Sequence, residues 1–283
     1  MNNLILFYGN CQTGALHKII DFDDSYEKID IFCLYNYKSK EEFRKLIKKC
    51  CIIITQPIND NYRDVDYLGT KFILDNALPT CQIIIFPSCF FDFYYPDLIY
   101  TKLNNSLLNI PNPYHYENMI NYYKEGIPLE EYLKNCVDNY DFYSSSYLIK
   151  KSIESLKELE KREKDFKKNY YKENVFYVFI TDFIKKNFTK KLLFYSMNHP
   201  TKYLFHYICE EIKKFIKIEI IIDYEKDPLD YTRCMIYKSL QKILKFNIEN
   251  YKPKLNKKND NKSITEIYYR DYKKLIFTKL LLK

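Results

Sequence analysis

Short runs of apolar, β-branched residues alternate along the chain with stretches whose apolar positions recur at helical spacing. Runs at 4–8, 29–34, 51–55, 82–86, 192–196 and 218–222 read as buried strands. Between them, 14–20, 41–49, 67–77, 114–124, 129–137, 147–168, 178–186, 203–215 and 235–245 read as helices by periodicity or capping. Apolar strands separated by helices predict an α/β fold, a parallel-sheet three-layer sandwich with helices on both faces. No sheet strand is evident between 87 and 191, so residues 88–190 are expected to form a helical cap. A polar, Asn- and Lys-rich stretch at 252–262 precedes an amphipathic run at 264–282. The expected organisation is one α/β domain over 1–250, followed by a linker and C-terminal helix over 251–283.

Composition narrows the picture. A chain of 283 residues that is 47% apolar can bury one large core, and its aromatic content is unusual, with 30 Tyr and 20 Phe but no Trp. The net charge of +8 favours anionic partners. The lysines of 157–172 are interleaved with Glu and Asp, however, and read as a solvated helix face, so no nucleic-acid partner is expected. The opening run at 4–8 is too short to span a bilayer and has no basic leader, so neither membrane insertion nor a signal peptide is expected. Nine scattered cysteines, with neither zinc-knuckle nor CxxC spacing, predict free thiols in a reducing, cytoplasmic setting.

In an open parallel sheet, ligands bind where the loops leave the carboxyl ends of the strands. After the first strand come Gly9, Asn10, Cys11, Gln12, Thr13 and Gly14; after the third, Gln56 and Pro57; after the fourth, Pro87 and Ser88; after 192–196, Asn198, His199 and Pro200. Polar residues of separate segments are thus expected on one edge. Cys11 would sit in a tight turn at a helix N-terminus, where backbone N–H groups favour the thiolate and can hold an oxyanion. Gly9 and Gly14 permit the close approach such a turn needs. His199 can exchange a proton near neutrality and is the first choice for general base. Taken singly, a cysteine after a strand reads more readily as a small core residue and a lone histidine as a structural one; their shared edge favours function. His17 and His206 fall within helices, while His115 stands at a helix start. Asn10, Gln12, Gln56 and Ser88 could donate to a carbonyl oxygen or sugar hydroxyl, or else cap helices and brace loops. No HExxH, paired-cysteine or acidic ligand pattern predicts a metal, and neither GxGxxG nor GxxxxGK[ST] occurs.

The ordered series Gly9-Asn10-Cys11-Gln12, Thr55-Gln56-Pro57, Tyr95-Pro96-Asp97-Leu98, Tyr114-His115, Arg162-Glu163, Thr181-Asp182-Phe183-Ile184 and Asn198-His199-Pro200 resembles that of the WcbI-type acetyltransferases of polysaccharide biosynthesis. The resemblance spans roughly the first 205 residues. It implies an SGNH-hydrolase-like architecture, binding of coenzyme A or acetyl-CoA, and a role in capsule or glycan synthesis. Two positions depart from the family pattern: Tyr95, where a His often stands, and Tyr116, where a Ser is common. They leave the acceptor and the part played by His115 open.

The expected function is therefore acetyl transfer from acetyl-CoA to a sugar, for example a nucleotide-linked amino sugar, by an enzyme that could be oligomeric. His199 would deprotonate the acceptor and the Gly9–Gln12 turn would stabilise the oxyanion, with Gln56, Ser88, His115 and Asn198 contributing to substrate binding. Cys11 would either form an acetyl-thioester or only shape the site. Two alternatives stand beside this: an SGNH-like carbohydrate esterase or deacetylase, and a non-catalytic module that binds a sugar or nucleotide.

Overall fold

The computed structural model describes residues 3–32, 39–103, 106–107, 109–255 and 257–277. The chain divides into two compact units. The first comprises Met1–Phe90, Leu156–Lys186 and His199–Leu229, and the second Phe91–Ser155, Asn187–Asn198 and Asp230–Lys283.

The first unit holds a five-stranded parallel sheet built from β1 (Leu4–Gly9), β2 (Glu27–Phe32), β3 (Cys50–Thr55), β4 (Gln82–Ile85) and β5 (Val175–Tyr177). Its strand order is β2-β1-β3-β4-β5. Every residue of β1 is buried, as expected of a central strand covered on both faces. The edge strand β2 is only partly buried and carries charged residues that discourage further pairing. Its pattern was read on to 34, and residues 33–34 lie outside the described residues.

Alternation along the strands sends side chains to two helical layers. On one face, Leu6, Tyr8, Ile53, Ile83 and Ile85 cluster with Phe43 and Ile47 of α2 (Lys40–Lys49), Ile73 and Leu74 of α3 (Thr70–Asn76), and Phe166 of α4 (Ser145–Asn169). On the other, Phe7 meets His17 of α1 (Cys11–Ile19) edge-on at 5.3 Å. Phe176 stacks on Phe215 there at 5.0 Å. Local sequence fixes the helix starts. Asn10 caps α1 by accepting from the Gln12 N–H, and Ser39 caps α2 by accepting from the Glu42 N–H while its hydroxyl donates to the Glu42 carboxylate.

Two strand expectations are corrected. The fifth sheet strand is Val175–Tyr177, paired with Ile83–Ile85, whereas 194–196 is a short strand of the second unit. Val175 to Ile180 is a continuous apolar run that periodicity cannot assign; pairing along the exposed edge of β4 made it a strand. Ile220–Ile222 likewise does not join the parallel sheet but pairs antiparallel with Ile20–Phe22, at the end of the stretch read as the first helix.

The second unit is organised by tyrosine. Leu98–Tyr100 pairs antiparallel with Tyr114–Tyr116, which leads into the helix Glu117–Lys124. Tyr95, Tyr116, Tyr132, Tyr237, Tyr268 and Tyr272 are fully buried. Each buried hydroxyl needs a partner, and these find them: Tyr95 donates to the Phe194 carbonyl, Tyr116 accepts from the Met235 N–H, and Tyr268 donates to the Tyr114 carbonyl. The helix Asn261–Phe277 brings Tyr268 and Tyr272; the expected terminal helix ran to 282, and residues 278–282 lie outside the described residues. No helix among the described residues is long and apolar enough to cross a membrane.

Candidate functional site

The strand order reverses between β1 and β3, so the loops leaving these two strands diverge to opposite sides, at the point where an open parallel sheet has its ligand crevice. Gly9–Gln12 leaves β1 at that point, and Gln56-Pro57 leaves β3. A third segment, Pro87 to Cys89, follows β4.

Two buried glutamine side chains tie the three loops together. Gln56 Oε1 accepts from the Asn10 N–H at 3.2 Å, and Gln56 Nε2 donates to Gln12 Oε1 at 2.8 Å. Gln12 then clasps the main chain of Cys89 from both sides, accepting from its N–H at 2.8 Å and donating to its carbonyl at 2.9 Å. Such a fully connected network in a low-dielectric interior is rigid, because each amide satisfies groups with no water to turn to. Gly9 is required beneath it: a Cβ there would stand 2.8 Å from Gln56 Oε1 and from two atoms of Thr13.

The lattice holds Cys11 as the first residue of α1, half-buried, in a turn whose Gln12 N–H is already taken by the Asn10 carboxamide oxygen. Burial pushes the Cys11 thiol up to about 11, although its own N–H and that of Gln12 pull the other way. The expectation that this turn favours the thiolate is therefore corrected: enclosure of the sulfur outweighs the helix terminus. Cys89 is buried further, and its thiol is raised by burial and by the nearby Glu163 carboxylate.

Glu163 itself accepts from the N–H groups of Ile180 at 2.6 Å and Thr181 at 3.1 Å, capping α5 (Thr181–Asn187). Half of the Arg162-Glu163 pair thus has a structural task. Ser88 is partly exposed beside Cys89.

His199 lies in the first unit, 5% exposed, shortly before α6 (Lys202–Lys213). Burial alone lowers its imidazole to about 4, so the ring is neutral at pH 7, and the expectation that it exchanges a proton near neutrality is corrected: enclosure makes it a weaker base than a solvated imidazole. Asn198 and His115 belong to the second unit. Asn198 accepts from the Tyr114 hydroxyl at 2.7 Å and donates to that of Tyr100 at 2.8 Å. His115 is fully buried, with Nδ1 3.0 Å from the Tyr272 hydroxyl and its ring stacked on that tyrosine.

Sequence reasoning missed Cys89, and it named Glu163 and Asp97 within motifs without giving them a role. Cys89 takes part through its main chain, which no side-chain pattern reveals. Asp97 is a fully buried carboxyl of the second unit, receiving the Tyr237 hydroxyl at 2.6 Å and the Asn118 amide at 3.0 Å, with its Oδ1 unpartnered. Burial drives it up to about 6 against those bonds. Its place in a Tyr-Pro-Asp-Leu motif was the available signal. Among the described residues no group of His, Cys, Asp and Glu could hold a metal ion, and eight cysteines are free thiols. The ninth, Cys33, lies outside the described residues.

Comparison with curated proteins yields no match. Among solved structures, one of WcbI, a polysaccharide biosynthesis enzyme, superposes with a TM-score of 0.81 at 18% identity, covering 97% of this chain and 91% of the other. That structure is of the native protein without a disulfide bond between coenzyme A and one of its cysteines. At that identity the likeness shows a shared fold. The family model for the polysaccharide biosynthesis enzyme WcbI matches residues 4–219, most of the sheet-bearing unit and much of the second, and on that match this chain belongs to the WcbI family.

Proposed function

We propose that this enzyme transfers an acetyl group from acetyl-CoA to a sugar during polysaccharide biosynthesis, with the crevice beside Gly9–Gln12 as the donor site. The observation that carries the reading is the Gln12–Gln56–Cys89 lattice, which holds a half-exposed cysteine at a helix N-terminus on the reversing edge of the sheet. The coenzyme A named for the WcbI structure supports the same donor here.

The thioester carbonyl would lie against the Cys11 N–H and the Asn10 carboxamide nitrogen, whose positive ends suit the oxyanion that develops as the acceptor attacks. Gln12 and Gln56 brace rather than donate to substrate, because their amides are engaged between loops. With its thiol at about 11, roughly one Cys11 in ten thousand is a thiolate at pH 7, which favours direct transfer over an acetyl-cysteine intermediate. A neutral His199 can accept the acceptor's proton as the new bond forms, and coenzyme A leaves as its thiol once that proton is returned.

The test is release of free coenzyme A from acetyl-CoA in the presence of sugar and nucleotide-sugar acceptors, for wild type, Cys11→Ala and His199→Ala, with intact mass measured after acetyl-CoA alone. Acceptor-dependent release that collapses in His199→Ala, without an acetyl-enzyme, is expected. Acetate release from acetylated glycans without coenzyme A would replace the proposal with an esterase.

A further inference from the structure

A groove of about 430 Å³ lies in the first unit, lined by Pro57, Ser88, Arg162, Asp165, Asn169 and Tyr170 among others. It shares two of the three strand-end loops of the candidate site: Pro57 follows Gln56 on one, and Pro87 and Ser88 precede Cys89 on the other. The far wall is the C-terminal part of α4.

We infer that this groove is the acceptor subsite and that it takes an uncharged sugar; the inference rests on the transferase reading above. The wall chemistry argues for it. Ser88, Asn59 and Asn169 offer hydroxyl and carboxamide groups that both donate and accept, matching sugar hydroxyls that do the same. The partly buried Tyr170 gives an aromatic surface for the C–H face of a pyranose ring, and Phe166 beneath it is fixed in the core. A cavity of this size is within the range that encloses small ligands.

The charges in the groove argue against an anion. Among the described residues of its lining Arg162 is the one cation; its charge is offset by Asp165 within the groove and by Glu158, to which its Nε is bonded at 2.8 Å, and its guanidinium lies over the Phe90 ring at 5.8 Å. Asp165 adds a carboxylate that would repel a phosphate or uronate but can accept from a pair of sugar hydroxyls. The Arg162 half of the Arg162-Glu163 motif thereby acquires a place at the acceptor groove, as Glu163 has at the α5 cap.

The full-length chain tests this by saturation-transfer NMR with the methyl glycosides of glucose, galactose, mannose and N-acetylglucosamine, and with inorganic pyrophosphate as competitor. At least one glycoside should receive saturation that falls about five-fold or more in Tyr170→Leu and in Asp165→Ala and that pyrophosphate leaves unchanged. No saturation of any of the four, saturation unchanged in both variants, or displacement by pyrophosphate would overturn it. A parallel thermal shift with coenzyme A separates the two ideas: glycoside binding without a coenzyme A shift sinks the transferase reading and spares the groove, whereas a coenzyme A shift without glycoside binding does the reverse.

Discussion

Replacing Gln12 with Leu keeps much of the buried volume and removes both bonds to Cys89 and the one between the two glutamines, leaving the Asn10 N–H on Gln56 as a grip of the β1 loop on the β3 loop. Gln12 is 1% exposed, so no water replaces what is lost. Three groups lose their partner: the Cys89 N–H, the Cys89 carbonyl and the Gln56 carboxamide. A buried polar group left unsatisfied costs about 1–3 kcal/mol. The Gln56 amide can rotate toward another partner, but the Cys89 main chain cannot, so Gln12→Leu should cost about 4 kcal/mol. That is a large share of a typical stability of about 5–15 kcal/mol. Urea unfolding monitored by tyrosine fluorescence measures it. The companion Gln56→Leu spares the clasp on Cys89 and should cost about 1–3 kcal/mol. In the double variant the two glutamines no longer strand each other, so its cost should fall short of the sum by about 1 kcal/mol. A Gln12→Leu penalty below about 1 kcal/mol, or strict additivity within about 0.5 kcal/mol, would refute a coupled lattice.

Two titrations of opposite sign follow from the buried ionisable groups. Asp97 binds its proton at about 6 in the fold and near 4 when unfolded, so its protonation stabilises the protein at low pH. That contribution, up to about 3 kcal/mol, is lost as pH rises from 4 through 6; Asp97→Asn should therefore raise the melting temperature relative to wild type above pH 6 and show no such advantage below pH 4. His199 does the reverse: with a folded value of about 4, the unfolded chain takes the proton first as pH falls below 6.5. Wild type should lose up to about 3 kcal/mol between pH 6.5 and 4 that His199→Gln does not lose, read as the difference between the two stability curves.

Much of the sheet was legible because central parallel strands are apolar on both faces: Leu4 to Tyr8 and Ile52 to Ile54 admit few other readings. The edge strand Val175–Tyr177 was not, since three residues carry no period and their pairing is decided by the open flank of β4. At the candidate site, the glycine, the cap and the two glutamines could be named from their positions after strands. That the glutamines would bond to each other and to a Cys89 main chain required coordinates. The protonation of Cys11 was misjudged for a similar reason: a helix N-terminus is visible in sequence, but the burial that overrides it is a property of packing.

The central claim is that coenzyme A seats its sulfur against Cys11, and protection of that thiol tests it most directly. Slow alkylation with N-ethylmaleimide, followed by peptide mass spectrometry, reports Cys11 and, as the other half-buried cysteine among the described residues, Cys51 on β3, in the same sample. Saturating coenzyme A should slow modification of Cys11 about ten-fold or more while leaving Cys51 unchanged. Equal labelling of Cys11 with and without coenzyme A would contradict the account.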